Sequence, residues 1–216
     1  FGYDGSYELI FDDVSFVLDT HFKTALIGRN ARGKTTLLKL MMHEYEYQGQ
    51  IMIHEKCCYF PYEVKNPQLL TVDVCYEIEP SLENWRLEKE LRLLGMDAMD
   101  VFYRPFETLS HGEQTKVLLA ILFLKEHSFL LIDEPTNHLD QDSRLKIGEY
   151  LKRQKGFLLV SHDRYFLDRV CDKVFVFQED GTLKQYAGGY SDYLAKMQEG
   201  EEVQKCTRSV AKSWKD

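Results

Sequence analysis

One stretch of nine residues constrains the fold of this chain more than any other. It fits the pattern G-x-x-x-x-G-K-[ST] and consists of Gly28, Arg29, Asn30, Ala31, Arg32, Gly33, Lys34, Thr35 and Thr36. The residues before it, 22–27, predict a buried strand, and residues 35–42 predict a helix. A strand, a glycine-containing turn and a helix N-terminus together direct backbone N–H groups at one point, so this segment is suited to binding phosphate.

Two side chains of this turn suit a nucleoside triphosphate that carries Mg²⁺. Lys34 adds a positive charge for the β and γ phosphates, and Thr35 can place its hydroxyl on the metal ion. The plainer interpretation is a glycine-containing turn that leads into a surface helix. Because one short pattern does not decide between the two, the rest of the chain must be examined for further motifs.

Composition limits the class of protein. The chain has 216 residues, of which 44% are hydrophobic, so it can bury the core of one large domain or of one domain with a subdomain. Its formal charge is −8, which disfavours a protein that holds nucleic acid through phosphates alone, and any RNA contact must therefore be local. No apolar run approaches the roughly 18 residues of a membrane span, and Phe1 does not open a signal peptide.

The cysteines predict the compartment. None of the five is spaced as C-x-x-C, which disfavours a zinc site or a disulfide framework; they are Cys57, Cys58, Cys75, Cys171 and Cys206. We therefore expect reduced thiols and a cytoplasmic protein.

The N-terminal quarter predicts a β layer. Residues 7–18 alternate as in an antiparallel hairpin, and residues 50–53 and 57–60 read as short strands. Tyr3 lies 31 positions before Lys34 and is our candidate for stacking on a purine ring. The alternative for Tyr3, as for Tyr7 and Phe11, is an aromatic side chain that packs at the edge of this layer.

A helical region follows from about residue 71. The apolar pattern of residues 71–94 is helical and ends at Gly95, and residues 113–125 predict another helix. Ser110 and Glu113 are spaced as a capping box at the start of that second helix. The segment is either a well-capped helix or a second phosphate site formed by the Ser110 hydroxyl and the Gly112 backbone.

Two apolar strands end in side chains with catalytic potential. Residues 129–132 lead into Asp133, which is placed to reach Mg²⁺, and Glu134, which is placed to polarise a water molecule. Residues 156–160 end before His162, which could donate to the γ phosphate or orient that water. The alternatives are a solvated strand end for the two acids and a structural cap for the histidine.

The rest of the chain completes the predicted sheet. A helix over residues 164–170, a strand over 174–177 and a turn at Asp180 and Gly181 precede a helix over 190–197. Residues 199–216 are polar and mixed in charge, which indicates a linker or an exposed helix.

Five motifs in this order resemble the nucleotide-binding domain of ABC ATPases. They are the phosphate-binding turn, Y-F-P-Y-E, L-S-H-G-E-Q, L-L-I-D-E-P-T-N-H-L-D and S-H-D, and they extend over nearly the whole chain. The wording of residues 133–140, the pair Glu113-Gln114 and the run G-G-Y-S-D-Y at 188–193 look most like the ABC-F subfamily of tandem ATPases of translation. The sequences G-R-N at 28–30 and K-V-L-L at 116–119 are similar to its ribosome-protecting antibiotic-resistance branch.

The resemblance implies a fold. It is an α/β P-loop NTPase cassette with a mixed central sheet, an N-terminal antiparallel β subdomain and an inserted helical subdomain at about 71–125. The nucleotide-binding domain would comprise residues 1–198, and residues 199–216 would begin an interdomain linker. We therefore expect the first half of a longer protein, truncated either naturally or by design.

The resemblance also implies site residues for ATP and Mg²⁺. Residues 28–36 would be the Walker A loop, Asp133 would hold Mg²⁺ together with Thr35, Glu134 would be the catalytic base and His162 the switch histidine. Leu139 and Asp140 would form the D-loop. The residues that would cap ATP bound on a second cassette are Ser110, Gly112 and Glu113.

The chain departs from the family pattern at three positions. Tyr62 stands where a glutamine usually contacts Mg²⁺ and the attacking water, and a phenol is a bulkier and poorer neutral ligand. His111 replaces a glycine of the signature, and Ala31 replaces a glycine of the loop. The first departure puts the placement of metal and water in question.

The function implied is ATP hydrolysis by an ABC-F cassette that acts on the ribosome, with a role in antibiotic resistance, at a slow rate in an isolated cassette. The partners would be a second cassette, in the same chain or in a head-to-tail homodimer, and the ribosome with its rRNA. One alternative is the ATPase subunit of a transporter coupled to a membrane permease. The other is a nucleotide-gated interaction module with little hydrolysis.

Overall fold

The computed structural model describes residues 1–3, 5, 9–28, 33–125, 127–178 and 182–198. Strands and helices alternate along most of this part of the chain, and a short 3-10 helix covers Phe106–Thr108. In chain order the elements are β1 Lys23–Ile27, α1 Lys34–Met41, β2 Lys56–Phe60, α2 Thr71–Ile78, α3 Asn84–Leu93, α4 Ala98–Phe102, α5 His111–Phe123, β3 Ser128–Asp133, α6 Gln141–Lys152, β4 Phe157–Val160, α7 Arg164–Val170, β5 Lys173–Phe177 and β6 Leu183–Ala187. Residues 190–198 are helical as well.

The strands form one six-stranded sheet in the order β2-β3-β4-β1-β5-β6. The first five strands are parallel, and β6 pairs antiparallel with β5. Central parallel strands are covered on both faces, which explains why β3 and β4 are almost entirely apolar. The expected mixed α/β sheet of a P-loop NTPase cassette is confirmed.

Alternate residues of each strand enter two separate cores. Leu130, Ile132 and Leu159 point into a larger cluster with helices α2 to α7, whereas Leu131 and Leu158 point into a smaller one beneath α1. This division follows from the two-residue period of a strand. The sheet therefore separates two apolar cores, and the polar residues at its strand ends lie at one edge, between them.

The antiparallel hairpin predicted over residues 7–18 is not present among the described residues 9–18, which form no strand. The backbone N–H groups of Ile10 and Phe11 instead donate to the carbonyl oxygen of Phe1, at 2.8 and 3.1 Å. Val14 and Leu18 pack against the smaller core cluster. The alternation of apolar residues thus reflects an extended segment with one side on the core, without a neighbouring strand.

The strand predicted over residues 50–53 is also absent, because its apolar residues pack on the core without a neighbouring strand. Ile51 and Ile53 pack against the smaller cluster while Met52 is exposed, but the segment has no strand assignment. The other predicted strand of this region, residues 57–60, is confirmed as β2.

The helical pattern predicted over residues 71–94 is confirmed and consists of two helices, α2 and α3. Pro80 lies between them, and a proline disfavours helical geometry in the residue before it. The predicted capping box at the start of α5 is confirmed, because Ser110 Oγ accepts from the N–H of Glu113 and the Glu113 carboxylate accepts from the N–H of Ser110.

Several predictions lie outside the described residues. They concern Tyr7, the loop residues Arg29, Asn30, Ala31 and Arg32, the turn at Asp180 and Gly181, Cys206 and the linker over 199–216. In the part of the chain that the structure does describe, Cys57, Cys58, Cys75 and Cys171 are free thiols. No helix in that part is both long enough and apolar enough to cross a bilayer.

Candidate functional site

The carboxyl ends of β1, β3 and β4 meet at one edge of the sheet. In the register of the sheet, Asp133 at the end of β3 lies beside Val160 at the end of β4, and Ala25 of β1 lies beside Leu159. The loops that follow these strands therefore start close together. Ligands of open α/β sheets bind at such an edge.

The loop after β1 is shaped around two glycines. At Gly28, a Cβ atom would lie 3.0 Å from Cβ of Phe177. Gly33 has φ of +88° and caps α1, and a Cβ there would lie only 2.4 Å from Cγ2 of Ile10. A side chain at position 33 would thus be strained as well as obstructed, because positive φ favours glycine.

Lys34 opens α1 and turns back toward the end of β1. Its Nζ donates to the carbonyl oxygen of Gly28 at 3.0 Å, and the residue is only 8% exposed. Burial lowers the pKa of Lys34, while the negative charges of Glu134 and Asp133 act in the opposite direction. The ammonium group thus lies in the field of both carboxylates.

Asp133 and Thr35 form the shortest polar contact of the site. The Thr35 hydroxyl donates to Asp133 Oδ2 at 2.6 Å, although the two residues are 98 positions apart. The Tyr59 hydroxyl, from β2, donates to the same oxygen at 3.3 Å. Asp133 is 8% exposed, so two hydroxyls from different elements hold a nearly buried carboxylate in place.

Glu134 follows directly in an unusual backbone conformation. Its φ is +50°, a left-handed value that costs a residue with a side chain about 1 kcal/mol. Its N–H donates to the carbonyl oxygen of Val160 at 2.8 Å, which fixes the first residue after β3 to the end of β4. Strained backbone conformations of this kind are common at functional sites, where they fix the direction of a side chain.

The side chain of Glu134 is aimed at His162. Its Oε2 accepts from the backbone N–H of His162 at 3.2 Å, and its Oε1 lies 3.3 Å from Nε2 of the same histidine. Oε1 is buried and, among the described residues, accepts no hydrogen bond. The Glu134 carboxylate and the His162 ring are therefore close but not aligned for a hydrogen bond through Oε1. The His162 side chain is 60% exposed, whereas that of Glu134 is 19% exposed.

Burial raises the pKa of Glu134, and the hydrogen bond from the His162 backbone opposes that shift. A carboxylate with a raised pKa is a stronger base than one in water. The environment of Glu134 is therefore favourable for polarising a water molecule.

Tyr3 lies beside the helix that carries Lys34. Its hydroxyl is 2.8 Å from Oγ1 of Thr36, and its ring makes edge contacts with Phe1 and Tyr45, at centroid distances of 5.2 and 5.6 Å. The stacking of a purine on Tyr3 stays a prediction. Phe11 is buried against Phe177, which favours the packing interpretation for that residue.

Tyr62 is directed away from these groups. Its ring packs against the larger core cluster and lines a cavity of about 430 Å³ beside α2, together with Val74 and Ile78. Its hydroxyl is buried without a hydrogen-bond partner in the described part of the chain, and burial raises the pKa of the phenol. A contact of Tyr62 with metal or water stays a prediction.

The signature residues form a second, separate cluster. Ser110 and Glu113 close the capping box, and Gly112 contacts the loop before α6 so closely that a Cβ would lie 3.0 Å from the carbonyl oxygen of His138. The rings of His111 and His138 are 5.3 Å apart at their centroids. The start of α5 thus rests on the loop that follows Glu134, and its exposed side faces outward.

Sequence reasoning missed three contributors to the site. Tyr59 reaches Asp133, the hydroxyls of Thr136 and Ser161 are 3.1 Å apart in the buried layer below Glu134 and His162, and Arg144 joins the same two loops. Thr136 and Ser161 stand inside motifs and were available to be identified. Tyr59 also stands inside a motif, Y-F-P-Y-E, but its contact with Asp133 depends on β2 lying next to β3, which the residues themselves do not show.

The oxygen donors at this edge fit Mg²⁺. The metal prefers one or two carboxylates with hydroxyl, phosphate and water oxygens, and Asp133 and Thr35 supply a carboxylate and a hydroxyl that already touch. Within the described ranges, no three His, Cys, Asp or Glu side chains cluster as a metal site. A metal here would therefore depend on the phosphates of its ligand.

This fold and this site define a class, the P-loop NTPases whose strand ends carry a lysine, an acidic pair and a histidine. A model of the ABC transporter family matches residues 11–137. The chain belongs to the ABC ATPase family, and curated members of the ABC-F subfamily are among its relatives.

Two relatives and one solved structure illustrate the similarity. The chain is 33% identical to ABC transporter F family member 2 of Arabidopsis thaliana over 91% of this chain and 30% of that protein. It is 34% identical to ribosome protection protein VmlR of Bacillus subtilis (strain 168) over 82% of this chain and 33% of that protein. The structure of an ATP-binding subunit of an ABC transporter superimposes with a TM-score of 0.70 and 25% identity, covering 86% of each chain. The chain spans about a third of the length of the curated relatives it matches.

Proposed function

We propose that this chain binds Mg-ATP at the edge formed by β1, β3 and β4 and hydrolyses it to ADP and phosphate. One observation supports this above all others: Lys34, Asp133, Glu134 and His162, which lie at or just beyond the carboxyl ends of β1, β3 and β4, come together at one place in the fold. A lysine, two acids and a histidine around one position provide charge stabilisation, a metal anchor and a base for phosphoryl transfer.

Each residue has a role that its geometry permits. Lys34, with the N–H groups at the start of α1, would bind the β and γ phosphates, and Thr35 with Asp133 would hold Mg²⁺. The bound metal ion neutralises charge on the phosphates. Glu134 would accept a proton from the attacking water, and His162 would donate to the γ phosphate while its backbone N–H keeps Glu134 oriented.

A second cassette is part of the proposal. The start of α5 lies on the loop before α6 and presents Ser110 and His111 to solvent, so it is free to meet a nucleotide held by another cassette. We take residues 1–198 as one nucleotide-binding domain, with its helical subdomain at about 71–125, and residues 199–216 as the start of a linker to the second. An isolated copy should then hydrolyse ATP slowly.

We propose that the full-length protein acts on the ribosome in the cytoplasm. This rests on the ABC-F relatives and, for antibiotic resistance, on the ribosome protection protein alone. The rival is a transporter ATPase, since one similar structure is an ATP-binding subunit of an ABC transporter. Cosedimentation of the natural full-length product with ribosomes supports the first, and recovery with a permease in the membrane fraction supports the second.

The location of Tyr62 favours a second candidate function, a nucleotide-gated interaction module with little hydrolysis. The Tyr62 ring packs against the larger core cluster, and its hydroxyl is buried without a hydrogen-bond partner among the described residues, which argues against a role as a polar ligand for metal or water. A single-turnover assay with protein in excess over ATP separates the two. Conversion of bound ATP to ADP supports the enzyme, and release of intact ATP supports the module.

The binding site is tested with Lys34→Ala and, as a matched control on the same helix, Lys39→Ala. Lys39 is partly exposed, and its side chain contacts the Glu44 carboxylate and the Tyr45 ring. Mg-ATP at about a hundred times its dissociation constant should raise the melting temperature of the wild type and the Lys39 variant by about 5 to 10 °C. An equal rise in Lys34→Ala would show that ATP binds elsewhere.

A further inference from the structure

Arg144, in the first turn of α6, connects two loops of the candidate site. Its Nε donates to the carbonyl oxygen of Leu139 at 3.1 Å, and its Nη1 donates to Asp163 Oδ2 at 3.1 Å. Leu139 belongs to the loop that begins with Glu134, and Asp163 follows His162 directly. One side chain thus spans the segments that carry the proposed base and the proposed switch histidine.

The Asp163 carboxylate is fixed from both sides. Its Oδ1 accepts from the N–H of Phe166 at 3.0 Å and caps α7, which leaves Oδ2 for Arg144. Its backbone N–H donates to Ser161 Oγ at 3.1 Å. Because the carboxylate is held by α7, the contact with Arg144 ties α6 to a rigid point.

Among the described residues, side chains connect the two loops at three depths. The buried hydroxyl pair of Thr136 and Ser161 lies beneath them, and the contact of Glu134 with the backbone of His162 lies at the reacting edge. Arg144 supplies the third on the far side of His162. Without it, Ser161 remains anchored, but the Asp163 side chain loses its direct contact with α6 and, through Arg144, with Leu139.

A guanidinium suits this position better than an ammonium group. Its planar fork serves two acceptors in fixed directions, here a carbonyl oxygen and a carboxylate oxygen, whereas a lysine offers one mobile point charge. The side chains of Arg144 and Asp163 are 42% and 22% exposed. Since partly exposed ion pairs add little to stability, we expect the contact to matter for geometry.

We propose that Arg144 is a positioning residue for ATP hydrolysis, which holds the loops of Glu134 and His162 at their working separation through Leu139 and Asp163. The inference rests on the proposed function of the same site. Arg144 itself touches neither nucleotide nor metal, so it should affect the rate of hydrolysis and leave ATP binding intact.

The test compares Arg144→Ala, Arg144→Lys, Asp163→Asn and the double variant Arg144→Ala/Asp163→Asn in single-turnover hydrolysis by the 216-residue chain. The control is Lys146→Ala, which breaks an ion pair with Asp142 on the same helix. Asparagine retains helix-capping ability, so Asp163→Asn removes the charge without removing the cap of α7. The maximal rate, the half-saturating concentration and the rise in melting temperature with Mg-ATP are measured for each protein.

The proposal predicts that Arg144→Ala and Asp163→Asn each lower the maximal rate by about tenfold, with half-saturation within about twofold of the wild type. The double variant should be no slower than either single variant, because both remove the same contact. Arg144→Lys should recover part of the loss, and Lys146→Ala should behave as the wild type.

Two results would overturn the inference while leaving the proposed function intact. One is a maximal rate for Arg144→Ala equal to that of Lys146→Ala. The other is a double variant whose loss is the product of the two single losses. By contrast, a wild-type chain that neither hydrolyses ATP nor is stabilised by it contradicts the proposed function itself.

Discussion

Two parts of this cassette are built in different ways. The nucleotide side lies at the carboxyl ends of β1, β3 and β4, and the signature side lies at the start of α5. On the nucleotide side, polar groups meet from distant parts of the chain, as the exposed Thr35 and the nearly buried Asp133 do across 98 positions. On the signature side, the polar contacts are local: Ser110 and Glu113 satisfy each other three residues apart, and the helix start is exposed. The first arrangement depends on the whole fold, whereas the second would persist in an isolated, well-capped helix.

This difference teaches which half of the chemistry one chain can supply. The nucleotide side brings together, within one chain, the residues that we propose as phosphate, metal and water ligands. The signature side presents an exposed helix start whose polar groups are engaged within the capping box. Variants on the first side should therefore change binding or turnover in the isolated chain, and variants on the second should change little besides stability.

The largest effect is expected at Glu134. Glu134→Gln removes the proposed base but keeps the size of the side chain, so it should lower single-turnover hydrolysis by at least about 100-fold while Mg-ATP still stabilises the fold. Glu149→Gln, on the exposed face of α6, serves as the control and should retain the wild-type rate. Unchanged turnover in Glu134→Gln would remove this residue from catalysis.

A smaller effect is expected at Ser110. Ser110→Ala removes the cap of α5 and should lower the free energy of unfolding by about 1 kcal/mol, measured by urea denaturation. Ser110→Asn keeps a capping side chain and should cost less. Neither variant should alter Mg-ATP binding by the isolated chain, and a loss of binding in both would show that the two sides are not separate.

The smallest effect, opposite in sign, is expected at Tyr62. Within the described ranges its hydroxyl is buried without a hydrogen-bond partner, so Tyr62→Phe should raise the free energy of unfolding by up to about 1 kcal/mol. The matched change Tyr59→Phe removes a hydroxyl bonded to Asp133 and should not stabilise the fold. If Tyr62→Phe instead destabilised the fold, the Tyr62 hydroxyl would have to make a hydrogen bond, which would contradict this prediction.

Much of the fold was predictable because buried parallel strands are apolar runs with polar ends. The strands that end at Ile27, Asp133 and Val160 were predicted from runs of apolar residues, and the order of motifs indicated the family. The motifs also singled out Lys34, Asp133, Glu134 and His162 before their proximity was known. Two acidic residues at the end of an apolar strand indicate a ligand site from the local sequence alone. The parallel sheet then brings the ends of such strands together at one edge.

The errors came from features that depend on neighbours. Residues 9–18 alternate because one side packs on the smaller core, and alternation alone does not show whether another strand is present. The break between α2 and α3 had a local signal in Pro80, which sequence reasoning did not use. The positions of Tyr59 and Tyr62 required the order of the strands and the path of the following turn, which a single sequence does not contain.

The central claim is that one Mg-ATP binds at the sheet edge lined by Lys34, Asp133 and Glu134. Isothermal titration of the Glu134→Gln chain with ATP, with Mg²⁺ or with a chelator, tests it most directly, because this variant does not consume the ligand. We expect one site per chain, with binding that weakens when Mg²⁺ is removed and is lost when Lys34→Ala is added. Binding of equal strength in the Lys34→Ala background, or no saturable binding in either background, would contradict the account.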